Sequence, residues 1–156
     1  MTRLMRIVTV ATACALPMPA HASQPSAAGI KVCELLPKDE VKKLIGGDQI
    51  FDMKPPEEEP LGTYGSSCNY PTVMVQVIPF NQSTIDAARK RGRLESVPNV
   101  GDAAWLYDNP AAYAELYVKI GARLLTLQRS VGMGKTLSDV RSGVIALATA
   151  LVPKVR

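Results

Sequence analysis

Residues 113–129 read Tyr-Ala-Glu-Leu-Tyr-Val-Lys-Ile-Gly-Ala-Arg-Leu-Leu-Thr-Leu-Gln-Arg. Successive side chains on a strand point to opposite faces. Over 113–120 this sorts Ala114, Leu116, Val118 and Ile120 to one face, and Tyr113, Glu115, Tyr117 and Lys119 to the other. Gly121-Ala122 is a two-residue loop with glycine first, as a type II′ turn requires. The stretch therefore predicts a β-hairpin, 113–120 paired with 123–129. The face with Ala114 and Leu116 belongs in a core. The face with two tyrosines flanked by charges is expected to be partly exposed.

Downstream, Leu137, Val140, Val144, Leu147, Ala148 and Leu151 form the stripe of a helix over 137–152, which Pro153 is expected to end. Gly143, Ala146 and Ala150 are small enough for that helix to lie close on a sheet. Upstream, Pro98 and Gly101 mark a turn into a strand at 103–107. Trp105 in that strand is read as packing, with a ligand-stacking platform as the alternative. A helix over 84–91 follows the cap residue Ser83. Residues 66–70 and 72–78 are two strands or one bent strand, rich in β-branched side chains. Pro55, Pro56 and Pro60 around Glu57-Glu58-Glu59 leave no room for a helix or a central strand. That segment reads as a solvated loop, with a cation site as the alternative. Residues 49–53 are a candidate first strand.

The first helix is expected over 37–45. Pro37 suits its first position. Asp39 and Glu40 near its start and Lys42 and Lys43 near its end complement the helix dipole. Gly46-Gly47 stops it. The fold class expected is α+β: one antiparallel sheet of about five strands, with N- and C-terminal helices packed on one face. The chain of 156 residues suits one domain.

The start of the chain has the pattern of a secretory signal. Arg3 and Arg6 precede a ten-residue apolar run at 7–16, then Pro17, Pro19 and the cleavage pattern Ala20-His21-Ala22. A run this short does not span a bilayer core of ~30 Å. Residues 1–22 are thus read as signal, 23–31 as a flexible lead-in and 32–156 as a single α+β domain. Ala11-Thr12-Ala13-Cys14 is the competing lipobox reading, against which stand the missing leucine and the halved apolar run. The expected location is periplasmic or secreted, with no membrane span. Without Arg3 and Arg6 the formal charge falls from +4 to +2, which argues against a nucleic-acid partner.

Cleavage after Ala22 leaves Cys33 and Cys68 as the cysteines of the mature chain. An oxidising compartment makes a disulfide between them the expectation, with two buried thiols the alternative. It would staple the first helix to the sheet and, in the loop-entropy model, contribute roughly 4 kcal/mol. Cleavage also removes the sole histidine, His21. Ser-His-Asp and Cys-His catalysis, and His-ligated zinc or haem, are thereby excluded from the mature protein.

Gly132-Met133-Gly134-Lys135-Thr136 resembles the end of a phosphate-binding loop, but Arg129 stands where the leading glycine is needed. No cofactor is expected. Fourteen acidic residues single out no carboxylate pair for hydrolysis. The densest basic patch is Arg89, Lys90, Arg91 and Arg93; with Lys135 these are the candidate anion-binding residues. A solvated helix end and a glycine loop are the competing structural readings.

Three places, in order, resemble a broad group of small exported bacterial proteins of unknown function. Cys33-Glu34-Leu35-Leu36, with Glu40-Val41 and Leu44-Ile45-Gly46, is similar to that group's opening helix. Ser67-Cys68-Asn69-Tyr70 is similar to its second cysteine followed by an aromatic residue. Residues 97–104 are similar to its Val-x-Gly-Leu-Gly-Asp-x-Ala turn, with Asn99 for the glycine and Val100 for the leucine. The plan also resembles small secreted actinobacterial lipoproteins. The resemblance implies a helix-covered antiparallel sheet and carries no activity.

Two function classes follow. One is a non-catalytic binding or interaction module meeting an envelope component. The other is a small-molecule or anion binder with a pocket between the sheet and the helix carrying Arg89–Arg93. A carboxylate-based hydrolase comes third. A flat apolar patch around Tyr113, Tyr117 and Trp105 would favour a protein partner. A concave pocket with converging arginines would favour a ligand. N-terminal sequencing of the protein recovered from the periplasm of an expressing bacterium should read Ser23-Gln24-Pro25; an unprocessed start, or a lipidated Cys14, would refute the cleavage site.

Overall fold

A computed structural model describes residues 29–46, 52, 54–109, 112–132 and 134–156. Residues 1–22, expected to be an export signal, and most of the expected lead-in lie outside the described residues. So does the candidate strand at 49–53, apart from Asp52. In chain order the elements are α1 (Val32–Leu35), α2 (Lys38–Ile45), β1 (Glu57–Pro60), β2 (Ser66–Tyr70), β3 (Val73–Pro79), α3 (Gln82–Arg91), β4 (Leu94–Ser96), β5 (Ala103–Asn109), β6 (Tyr113–Ile120), β7 (Arg123–Ser130) and α4 (Leu137–Val155).

The fold is α+β, and the sheet is antiparallel throughout, in the order β1-β2-β3-β7-β6-β5-β4. It has seven strands where about five were expected. The two unforeseen strands are its edges. β1 is the Glu-Glu-Glu-Pro segment read above as a loop; it pairs with β2 while all four of its residues stay exposed. An edge strand needs no apolar face, and charge with proline there discourages pairing with another chain. β4 has three residues and shows no period.

The hairpin forms with Ile120 opposite Arg123, so Gly121-Ala122 is its loop, with φ +58° at Gly121. Ala114, Leu116, Val118 and Ile120 join Val73, Val75, Val77, Leu125 and Leu127 in the main core. α1, α2 and α4 cover this face, so the terminal helices do share one side. The other face is corrected. α3 lies on it, and Ile85 and Ala88 pack with Tyr117 and Leu124 into a second buried cluster. Tyr117 and Glu115 are consequently buried, and Tyr113 half-buried. Burying an Ile or Leu side chain fully is worth about 1.5–3 kcal/mol, and Ile85 with Ala88 anchors the ten-residue α3 on Tyr117 and Leu124 in this way.

Element ends differ from expectation for identifiable reasons. Asn81 caps α3 in place of Ser83, its side chain accepting the Ser83 N–H at 2.9 Å. Pro37 is the N-cap of α2 instead of its first residue, and the preceding turn forms α1. α4 runs past Pro153 to Val155. It starts with a capping box in which Thr136 and Asp139 exchange hydrogen bonds, which holds the Asp139 carboxyl below its usual range. Asn99 has φ +61°, a left-handed conformation that asparagine tolerates.

Cys33 and Cys68 form a disulfide that joins α1 to β2, with Cα atoms 5.0 Å apart. Glu58 of β1 reinforces it. Its carboxylate accepts the N–H groups of Val32 at 2.8 Å and Cys33 at 2.6 Å, and the Ser66 hydroxyl. The mid-chain proline-glutamate segment thus secures the first turn of the domain.

Arg129 of β7 points into the main core side and is 3% exposed. It donates to Ile45 O at the end of α2 (2.7 Å) and to Asp139 O in α4 (3.3 Å). Gly143 makes the room: a Cβ there would lie 2.1 Å from Arg129 Nη1. We expect Gly143→Ala to cost about 1–3 kcal/mol, as overpacking does, and to cost measurably less beside Arg129→Met. Urea unfolding of the two single variants and the double variant tests this; simple additivity would show that Arg129 is not what fills the space.

Candidate functional site

The densest meeting of polar and aromatic side chains lies where the end of α3 reaches β4, β5 and β6. α3 ends in Arg89, Lys90 and Arg91, a placement that its dipole favours. Arg91 turns down onto the sheet. Its Nη2 donates to Glu115 Oε2 at 2.9 Å and to the Tyr117 hydroxyl oxygen. Its guanidinium lies 5.2 Å from the Tyr107 ring centre, and the Tyr107 and Tyr113 rings are 6.1 Å apart. Glu115 is 7% exposed, and a carboxylate that deep requires such a partner. Burial first, then the charge and hydrogen bond of Glu115, push the Tyr117 phenol well up; Arg91 opposes them.

Gly92 carries the chain over the Tyr107 ring. A Cβ there would come within 2.8 Å of Tyr107 Cε2. Beyond it opens a cleft of about 370 Å³, lined by Arg91, Gly92, Arg93, Glu95, Leu106, Tyr107 and Asp108. Arg141 reaches it from α4. Its guanidinium donates to Asp108 Oδ2 at 2.8 Å and to Glu95 Oε2 at 2.7 Å. Asp108 Oδ1 is buried and, among the described residues, accepts no hydrogen bond.

Of the candidate anion-binding residues, Arg91 and Arg93 line the cleft. Arg89 pairs with Asp86 at 3.2 Å, and Lys90 is exposed. Lys135 lies elsewhere. Its Nζ is close to Gly46 at the end of α2, on the side of the sheet opposite α3. The basic patch is therefore not a set of converging cations. Arg91 is already matched by Glu115 on the α3 face, and Glu95 and Asp108 line the cleft from strand positions that alternate to the other face.

Met133 lies outside the described residues; of the glycine loop, Thr136 serves as the helix cap. The three glutamates alternate along β1. Glu57 pairs with Lys54 at 2.8 Å, Glu58 caps α1, and Glu59 accepts from Asn69 at 3.3 Å. Trp105 is half-buried against the second cluster, and Tyr117 is buried, so neither adds to a flat apolar patch. Sequence reasoning missed Glu95, Tyr107, Asp108, Glu115 and Arg141 as site residues. The alternation of β6 does place Glu115 beside Tyr117, but nothing local says that α3 covers them.

No protein-family profile, no curated protein and no solved structure matches the chain. Among the described residues, no helix is long and apolar enough to cross a membrane.

A second buried phenol, Tyr70, donates to Leu36 O at 2.8 Å and is pushed from 10.0 up to about 12, by burial and then by the charge of Glu58. Folding favours the neutral form of both tyrosines. Their contribution to stability is full below the unfolded value near 10; that of Tyr70 is lost as pH rises through about 12, and that of Tyr117 at higher pH still. Stability should therefore fall steeply above pH 10. Spectrophotometric titration of the folded protein should show late-ionising tyrosines, one fewer in Tyr117→Phe and one fewer in Tyr70→Phe; unchanged late absorbance in both variants would contradict the assignment.

Proposed function

We propose that the protein is an exported, disulfide-stapled, non-catalytic binding module whose ligand site is the cleft between the end of α3, β4 and β5. One observation carries this reading: a concave space of ligand size, lined by charged side chains, of which Arg91, Glu95 and Asp108 are held in place by partners on other elements. Small-ligand sites commonly combine a recess of roughly 300–1,000 Å³ with a few positioned polar groups. Export rests on the signal pattern at 1–22, and the disulfide agrees with an oxidising compartment. Membership in the group of small exported proteins rests on the three ordered sequence motifs.

A protein partner is the second reading. Asn69, Met74, Gln76 and Gln128 sit half-buried on the same side of the sheet as α3 and form a polar surface beside it. Thermal-shift screening of the mature protein against a broad panel of small polar metabolites separates the two. At least one compound should raise the melting temperature, and Arg93→Gln should suppress that rise. A panel without effect, together with a stoichiometric protein partner whose binding is lost in Gln76→Arg and unchanged in Arg93→Gln, would replace the cleft with the sheet surface.

A further inference from the structure

We infer that the cleft takes a small zwitterion of amino-acid or dipeptide size, its carboxylate on Arg93 and its ammonium on Glu95. This rests on the cleft being the ligand site. The first argument is charge. The lining carries two cations, Arg91 and Arg93, and two anions, Glu95 and Asp108. A simple anion entering it meets two carboxylates, and a simple cation meets two guanidiniums. A ligand with both charges meets a complement at each end.

The second argument is which groups are already engaged. Arg91 is committed through Nη2 to Glu115 and Tyr117. Asp108 is committed through Oδ2 to Arg141, and its Oδ1 is too deep to meet a ligand directly. Arg93 and Glu95 are two residues apart on extended chain, so they project to the same side. They would be expected to pair with each other. Glu95 instead turns to Arg141, through Oε2, and its side chain stays 56% exposed. Arg93 is left exposed and, among the described residues, without an ion-pair partner. Glu95 is thus engaged by Arg141 through one oxygen, and Arg93 and Glu95 line the same cleft without pairing to each other. A fork binds a carboxylate through two parallel hydrogen bonds, and Glu95 Oε1 accepts from an ammonium. Tyr107, with Gly92 against its ring, also lines the cleft, from the α3 side. The volume of about 370 Å³ is near the lower end of ligand sites, which suits one or two residues and not a long peptide.

Isothermal titration of the mature protein with alanine and with dialanine tests this, with acetate, inorganic phosphate and methylammonium as single-charge probes. Alanine or dialanine should bind, and the single-charge probes should not at the same concentrations. Arg93→Gln and Glu95→Gln should each weaken binding about tenfold or more, the loss expected for one charge-assisted contact. Glu95→Gln also removes a partner of Arg141, so the melting temperature of each variant is measured alongside; Arg93→Gln breaks no ion pair among the described residues and is the decisive variant. Acetate or phosphate binding as well as dialanine, with tighter binding in Glu95→Gln, would overturn the zwitterion and leave an anion site in the same cleft. Binding by none of these probes overturns the zwitterion. If the broad metabolite panel is silent as well, the cleft falls as a ligand site.

Discussion

Arg129 holds together three elements that the chain keeps far apart. A buried guanidinium is costly unless its donors are satisfied. Here Nη2 meets the carbonyl end of α2, where the last C=O groups of a helix have no partner of their own. The negative end of the helix dipole offsets the charge as well. The same group touches α4 through Asp139 O, and α4 admits it because residue 143 has no side chain. One side chain from a central strand thereby sets where both large helices of the main face sit. The disulfide and Glu58 then secure α1 on β2 at the other side of that layer.

With that layer in place, the sheet becomes two-sided. Its middle strands carry apolar residues on one face and a mixed set on the other, and α3 covers part of the second face. The buried charge there has a partner: Glu115 of β6 is met by Arg91 from the exposed end of α3. The edges follow a different logic. β1 presents charge and proline and β4 is short, so neither edge offers a long row of free backbone groups to another chain. What the domain offers instead is the cleft beside α3 and the polar sheet surface next to it.

Charge arrangement in the cleft matters more than charge count. The basic patch at 89–93 looks like an anion site when counted along the chain. In space, Asp86, Glu115, Glu95 and Asp108 stand among those cations, and Arg141 arrives from the opposite face to rearrange the pairings. The surroundings are close to neutral with their charges separated, which is the basis for reading the site as one for a dipolar ligand.

The sequence by itself determined the hairpin, because strict alternation and a glycine-first loop allow little else. It also determined the amphipathic final helix, and it named the pair Cys33 and Cys68 once the first residues were read as a signal. Those features are local or combinatorial. Tertiary structure decided the rest. β1 and β4 are strands only because a neighbour pairs with them; neither has an apolar face to announce it. Tyr117 and Glu115 are buried only because α3 crosses back over the sheet, a path that periodicity does not record. Arg129 reads as a surface residue at the end of a strand until Ile45 and Gly143 close around it. The cleft is assembled from four elements, with Arg141 almost fifty residues from Glu95, and no spacing along the chain encodes that meeting. Local geometry is written in neighbouring residues, whereas long-range pairing of charges depends on which faces the packed helices leave beside one another.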